Sequence, residues 1–272
     1  IAGVKSVFYL AGDIKSSDFK ELITGVSLRI KPDLYVANSE FVAKSIEKFL
    51  SKNYKINYLG VDEKLFENLN EKDAREKLEK EFNISSEDII FSLVGRIQIW
   101  KGQDIAINAY KRMKNKNKCA LLIVGEPTFE KDKEFMNYLK EIAKNEKKII
   151  FTGARSDIPL IMKGSDIILH TSRFPEPFGL VVIEGMISKK PVIASNVGGP
   201  CEIIENGKDG FLFDPNDLNQ LSNLMDLLAK NPDLRKKVAL EGYKKAKSKF
   251  TASLSIKNLE EIISKYLLKC QK

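Results

Sequence analysis

T-S-R-F-P-E-P-F-G-L-V-V-I-E-G-M, residues 171 to 186, decides how this chain is read. The apolar run Ile167-Ile168-Leu169 enters it like a buried strand. Two prolines make a loop, and an apolar stretch then reads as a buried helix starting near Phe178-Gly179-Leu180. Glu176 and Glu184 flank that start with seven residues between them. A helix rises about 1.5 Å per residue, so the two carboxylates span at most roughly 12 Å. Free amides at a helix start favour an anion. One molecule can therefore meet Glu176 with one end, lay phosphates on the amides near Gly179 and reach Glu184 with the other. A nucleotide-diphosphate sugar has that layout of sugar, diphosphate and ribose. A loop carboxylate and a buried-helix carboxylate, each paired with a base elsewhere, fit the spacing equally well.

Outward from this stretch the chain alternates strands and helices. Upstream, strands are expected at Ile89 to Val94, Cys119 to Val124, Ile149 to Thr152 and Asp166 to His170, with helices between them. Downstream come a strand at Pro191 to Ala194, a short helix at Pro200 to Glu205 and a strand at Gly210 to Phe213. Three helices end the chain, from about Asn216, Pro232 and Thr251. This order predicts a mostly parallel sheet covered on both faces, with ligands beyond the carboxyl ends of its strands. Before it, Val4 to Leu10, Asp33 to Ala37 and Lys55 to Leu59 read as strands. Helices are expected from Ser16 or Ser17 to about Ile30 and from Ser39 to about Leu50. Three strands and two helices are too few for an independent doubly wound domain, so residues 1–62 are expected to be the tail of one. Residues 63–250 form the second unit, and 251–272 a terminal helix expected to pack back on the first.

Four loops at strand ends carry candidate chemistry. In V-G-R-I-Q-I-W-K-G, residues 94–102, Gly95 allows a tight exit, and Arg96 and Lys101 set two cations above a strand end. Such cations suit a diphosphate, and an ordinary basic loop fits as well. Gly125-Glu126-Pro127 reads as a turn beside the same crevice. Gly153-Ala154-Arg155 offers backbone groups to a nucleobase with Arg155 beside it, or a solvated arginine. Gly198-Gly199-Pro200-Cys201-Glu202 lets backbone approach a ligand, with Pro at the first helical turn and Glu202 as a helix-start carboxylate or a site residue. A P-loop, a dinucleotide fingerprint and a nucleophile elbow are all missing.

Composition narrows the class. At 272 residues, 43% hydrophobic and 30% charged, the chain is globular. The net charge of +8 is mostly lysine, since arginine supplies seven of 45 basic residues, and is weak evidence for nucleic acid. The basic run from Arg235 to Lys249 reads as a solvated face. No apolar run approaches the roughly 20 residues of a membrane span. Cys119, Cys201 and Cys270 lack metal or redox spacing, as in a reduced cytoplasm. The single histidine, His170, excludes a His-rich metal site and is read as a strand-end side chain.

Four segments, at 94–102, 175–186, 191–204 (P-V-I-A-S-N-V-G-G-P-C-E-I-I) and 206–215 (N-G-K-D-G-F-L-F-D-P), resemble in order and spacing the donor-binding domain of retaining GT-B glycosyltransferases of family 4. Residues 33 to 66 resemble the end of that family's N-terminal domain and its hinge. The resemblance implies a nucleotide-sugar donor, UDP- or GDP-linked, a hydroxyl acceptor on a glycan or glycolipid, and retention of anomeric configuration. It implies that Arg96 and Lys101 bind diphosphate, that Glu176 holds sugar hydroxyls and that Glu184 holds the ribose. The amides of Phe178, Gly179 and Leu180 would cradle phosphate, with no cofactor and no metal. It further implies a cytoplasmic protein, with peripheral contact at the inner face of a membrane. Two departures stand out: the family's N-terminal glycine-rich loop is not in the sequence, and Leu10-Ala11-Gly12-Asp13 lacks the histidine often found there. A non-catalytic nucleotide-sugar-binding remnant is the alternative.

Overall fold

A computed structural model describes residues 7–10, 34–47 and 54–269. The expected helix from Ser16 to Ile30, together with Ala11 to Asp13 and Cys270, lies outside them. The described part holds two parallel sheets. Strands β1 (Val7–Leu10), β2 (Leu34–Ala37) and β3 (Tyr54–Ile56) form the smaller, with helix α1 (Glu40–Glu47) after β2. Two helices, α2 (Lys64–Glu67) and α3 (Glu71–Phe82), then lead into the larger sheet.

Its strands are β4 (Ile89–Val94), β5 (Cys119–Val124), β6 (Ile149–Gly153), β7 (Ile167–His170), β8 (Val192–Ser195) and β9 (Phe211–Phe213). Between them run α4 (Gln103–Arg112), α5 (Glu130–Ala143), α6 (Ile158–Gly164), α7 (Leu180–Ile187) and α8 (Pro200–Ile203). Helices α9 (Leu218–Lys230), α10 (Pro232–Lys249) and α11 (Ala252–Lys269) close the chain. Each segment expected in this part is present, most within two residues of the expected ends.

The central strands β5, β7 and β8 are buried throughout and β4 nearly so, which is why these sequence runs are apolar rather than alternating, while the edge strand β6 is mostly half-buried. Phe91, Leu93, Leu121 and Leu169 pack with α4, α5 and α9. Ile90 and Leu122 meet Leu78 of α3 and Ile161 of α6, while Ile168 meets Val182 and Met186 of α7. Ser92, the polar exception in β4, is satisfied by Ser165 at 2.6 Å.

The strand order is β6-β5-β4-β7-β8-β9. Winding runs outward to one side through β5 and β6, then restarts on the other side at β7. The carboxyl ends of β4 and β7 therefore lie side by side at a topological switch point, where the diverging loops leave a crevice. This places the loop 95–102 beside the loop 171–179.

The smaller sheet is tied to the larger unit near residue 60. Val61 N–H donates to Phe250 O, and Ala252 N–H donates back to Val61 O, each at 2.9 Å. Ser255 at the start of α11 reaches Tyr58 O at 2.7 Å. The terminal helix thus begins against the segment that joins the two sheets. Among the described residues no helix is long and apolar enough to cross a membrane.

Candidate functional site

The two loops at the switch point are stitched by backbone. Arg173 N–H donates to Trp100 O at 2.8 Å, and Thr171 Oγ1 donates to Gly102 O at 2.8 Å. Trp100 Nε1 donates to Phe174 O at 3.1 Å. Lys101, at the end of a single 3₁₀ turn (Ile99–Lys101), is thereby aimed across the crevice.

Its ammonium sits 2.8 and 2.9 Å from the two carboxylate oxygens of Glu176. Ser172 Oγ donates to the same carboxylate at 2.9 Å, and His170 Nε2 lies 3.4 Å from it. The Lys101 and Glu176 side chains are only 17% and 15% exposed. Burial by itself would push the Glu176 carboxyl up. His170 and Lys101 more than offset it and hold the group well below the usual carboxylate range.

Beside this cluster α7 begins. Gly179, at φ +109°, turns the chain into the helix, a conformation side chains rarely adopt. The helix starts at Leu180, within the expected stretch Phe178-Gly179-Leu180. Phe178 turns inward and stacks on Tyr58, ring centres 5.7 Å apart. In the first turn of α7, Val182 N–H donates to Gly179 O at 3.0 Å, while a helix start leaves the amides of Leu180 and Val181 without an intrahelical partner. Gly179, Leu180 and Val181 line a cavity of about 270 Å³ together with Lys101, His170 and Glu176. Asn38 and Leu59, from the side of the smaller sheet, complete its wall.

Two adjacent glycines hold the loop in place. A Cβ on Gly198 would lie 2.3 Å from Glu176 O, and one on Gly199 would lie 2.2 Å from Phe178 O. Gly199 N–H donates to Glu176 O at 2.7 Å. The sequence reading expected these glycines to let backbone approach a ligand. The backbone they admit is that of residues 176–178.

Five residues named from sequence converge on the cavity: Lys101, Glu176, Phe178, Gly179 and Leu180. Gly95 and Arg96 lie on the facing loop at the end of β4, and the Arg96 side chain is exposed. Glu184 is four residues into α7 and partly buried. Burial pushes its carboxyl up. Arg155 is engaged elsewhere. Its guanidinium forms ion pairs with Glu81 and Asp157, the latter at 2.8 Å, and lies over the Phe82 ring. Conversely, His170 and Ser172 were not singled out as site residues, yet both face Glu176. The available signal was position, since His170 ends the strand that feeds the decisive loop and Ser172 lies at the start of that loop. Among the described residues no group of three His, Cys, Asp or Glu side chains is arranged to hold a metal ion.

With the geometry in place, comparison with known proteins is informative. The family model described as glycosyl transferases group 1 matches residues 74–245. Mannosylfructose-phosphate synthase of Agrobacterium fabrum is 30% identical over 186 residues, covering 65% of this chain and 40% of that protein. The capsular polysaccharide biosynthesis glycosyltransferase CapM of Staphylococcus aureus is 24% identical over 250 residues, covering 90% of this chain and 65% of its own length. The chain thus spans about two fifths to two thirds of these relatives. The crystal structure of Anabaena HepE in complex with UDP-glucose superposes with a TM-score of 0.86 at 26% identity, covering 95% of this chain and 72% of the other. The α/β architecture, two parallel sheets with a crevice between, is the GT-B type expected from the sequence.

Proposed function

The chain belongs to the glycosyl transferases group 1 family, and from that premise we propose that it binds a nucleotide-diphosphate sugar in this crevice and transfers the sugar to a hydroxyl acceptor with retention of configuration. One observation carries the reading. A buried cation, a buried carboxylate and the open amino end of a helix meet at the switch point, with a second, exposed cation on the same loop.

In this reading the amides of Phe178, Gly179 and Leu180 face the diphosphate. Lys101 and Arg96 supply the positive charge that the departing group needs. The bond from the anomeric carbon to phosphate oxygen breaks, and its electron pair leaves on the nucleoside diphosphate. The acceptor hydroxyl forms the new bond on the same face of the sugar and passes its proton to the departing phosphate oxygen. Because positive side chains and a helix end stabilise the leaving group, the proposal needs no metal. Glu176, kept ionised, accepts hydrogen bonds from sugar hydroxyls. Glu184, further along the helix, accepts from the ribose. Backbone of Gly153 and Ala154 reads the base, with Arg155 anchoring that loop through Glu81 and Asp157.

The HepE complex with UDP-glucose supports a uridine nucleotide, while relatives described as mannosyltransferases leave a guanosine nucleotide as the second candidate. The acceptor we expect is a glycan or glycolipid, met at the cytoplasmic face of a membrane. The test is incubation with UDP-glucose and GDP-mannose, with release of nucleoside diphosphate and the anomeric proton of the product followed by NMR. Release giving the α-product from an α-linked donor supports the proposal. Inversion would refute the retaining step. Binding without release would favour the alternative, a non-catalytic donor-binding unit.

A further inference from the structure

Glu202 satisfies a helix start, as its position in the sequence allowed, but the helix whose amides it meets is not its own. Its two carboxylate oxygens accept from the first amides of α1, Glu40 N–H at 2.8 Å and Phe41 N–H at 2.7 Å, across some 160 residues of chain. The residue before them, Ser39, does two things. Its Oγ accepts from Val42 N–H at 3.0 Å as a helix cap, and it donates to Pro177 O at 2.6 Å. Pro177 sits between Glu176 and the Phe178–Gly179 amides.

A third tie joins the same two parts. The Tyr58 hydroxyl lies near Glu202, and burial together with that carboxylate pushes its pKa up to about 12. The Tyr58 ring stacks on Phe178 and meets the edge of Phe250, each at 5.7 Å between ring centres. The amino end of α1 is therefore anchored to both segments that shape the cavity, the loop 175–179 and the turn 198–202. The anion that α1 attracts is supplied by the protein itself.

We propose that Glu202 and Ser39 are positioning residues that couple occupancy of the loop 175–179 to the placement of α1, and with it the smaller sheet. The proposal rests on the donor reading above. A ligand on the amides of Phe178 and Gly179 orders the peptide whose neighbouring carbonyl, Pro177 O, holds Ser39. Coupling between two sites is reciprocal, so a ligand that strengthens the placement of α1 is bound more tightly, by the same factor, when α1 is anchored.

The experiment is hydrogen exchange of the segment 38–47, read by mass spectrometry with and without saturating UDP or GDP. It is paired with calorimetric titration of the same nucleotide. In the full wild-type chain the nucleotide is expected to slow exchange in this segment. In Glu202→Ala that slowing is lost and affinity falls about fivefold or more, the range in which coupling between sites typically lies. Glu202→Gln keeps its volume and one acceptor oxygen, and is expected to fall between the two; it also guards against misfolding of the alanine variant.

If Glu202→Ala raises exchange equally with and without nucleotide and leaves affinity unchanged, Glu202 is a helix cap and the coupling is refuted. If no nucleotide binds the wild-type chain, the donor reading itself fails and the coupling with it. The exchange difference between wild type and variant then still measures the anchor alone.

Discussion

Replacing Lys101 with methionine isolates the pair at the centre of the site. Methionine keeps most of the volume and removes only the charge. At 2.8 Å the Coulomb attraction to Glu176 is about 6 kcal/mol at an effective dielectric of 20. Most of that is offset by the cost of desolvating the ammonium. Breaking a fully buried pair typically costs about 3–5 kcal/mol, because the remaining charge is left uncompensated. This pair is slightly exposed, and Ser172 and His170 stay on Glu176, so a loss of about 2–3 kcal/mol is expected. For a chain of this size that is a fall in Tm of roughly 5–10 °C.

The pH dependence has a definite sign. In the wild type the folded Glu176 carboxyl is held below its ordinary value of 4.5. Its contribution is present above that pH and is lost as pH falls through the lower, folded value. Without Lys101 the folded value rises and the contribution shrinks. The gap between wild type and variant is therefore full at pH 7 and narrows only as pH falls through the variant's folded value toward the lower, wild-type one. Thermal unfolding followed by circular dichroism at pH 7, 4 and 3 measures it. A variant within 1 °C of wild type at pH 7, or a gap that widens toward pH 3, refutes the reasoning.

Three further outcomes follow from the same geometry. Gly198→Ala combines left-handed strain at φ +70° with a collision against Glu176. It should lower both Tm and nucleotide affinity, whereas Gly207→Ala, at φ +80° with open space around it, should cost only the strain of about 1–3 kcal/mol. His170→Leu removes a partner that keeps Glu176 ionised, so the acid limb of the transfer rate against pH should move upward; an unmoved limb contradicts that role. Arg155→Ala should lower Tm by releasing Glu81 and Asp157 and, by loosening the loop that reads the base, should weaken nucleotide affinity in calorimetry.

The larger sheet was legible because its strands are short, mostly apolar runs between breakers, and in the central strands burial on both faces demands that pattern. Cys119 to Val124 was expected and found with the same ends. Chain order could not show which strands become neighbours. That β4 lies beside β7, which brings Lys101 to Glu176, is a property of the sheet's winding. His170 illustrates the limit. As the last residue of a buried strand it looked structural, and only the adjoining loop turns it toward a carboxylate. The glycines at 198 and 199 were read correctly as close-approach residues, but what approaches them is another loop, and a single sequence does not name a backbone partner. Glu202 was half legible, because a carboxylate at a helix start identifies the dipole it serves only when that dipole is local. Arg155 was ambiguous for the opposite reason: its partner Glu81 lies far upstream on an exposed face of α3, where nothing in the pattern sets it apart.

The most direct test of the donor site is calorimetric titration of the chain with UDP and with GDP, beside the Glu184→Gln variant. One of the two nucleotides is expected to bind wild type with a Kd between about 1 μM and 1 mM, the range usual for enzyme substrates. It should bind Glu184→Gln more weakly. Failure of both nucleotides to bind wild type at millimolar concentration would contradict the assignment of this crevice to a nucleotide sugar.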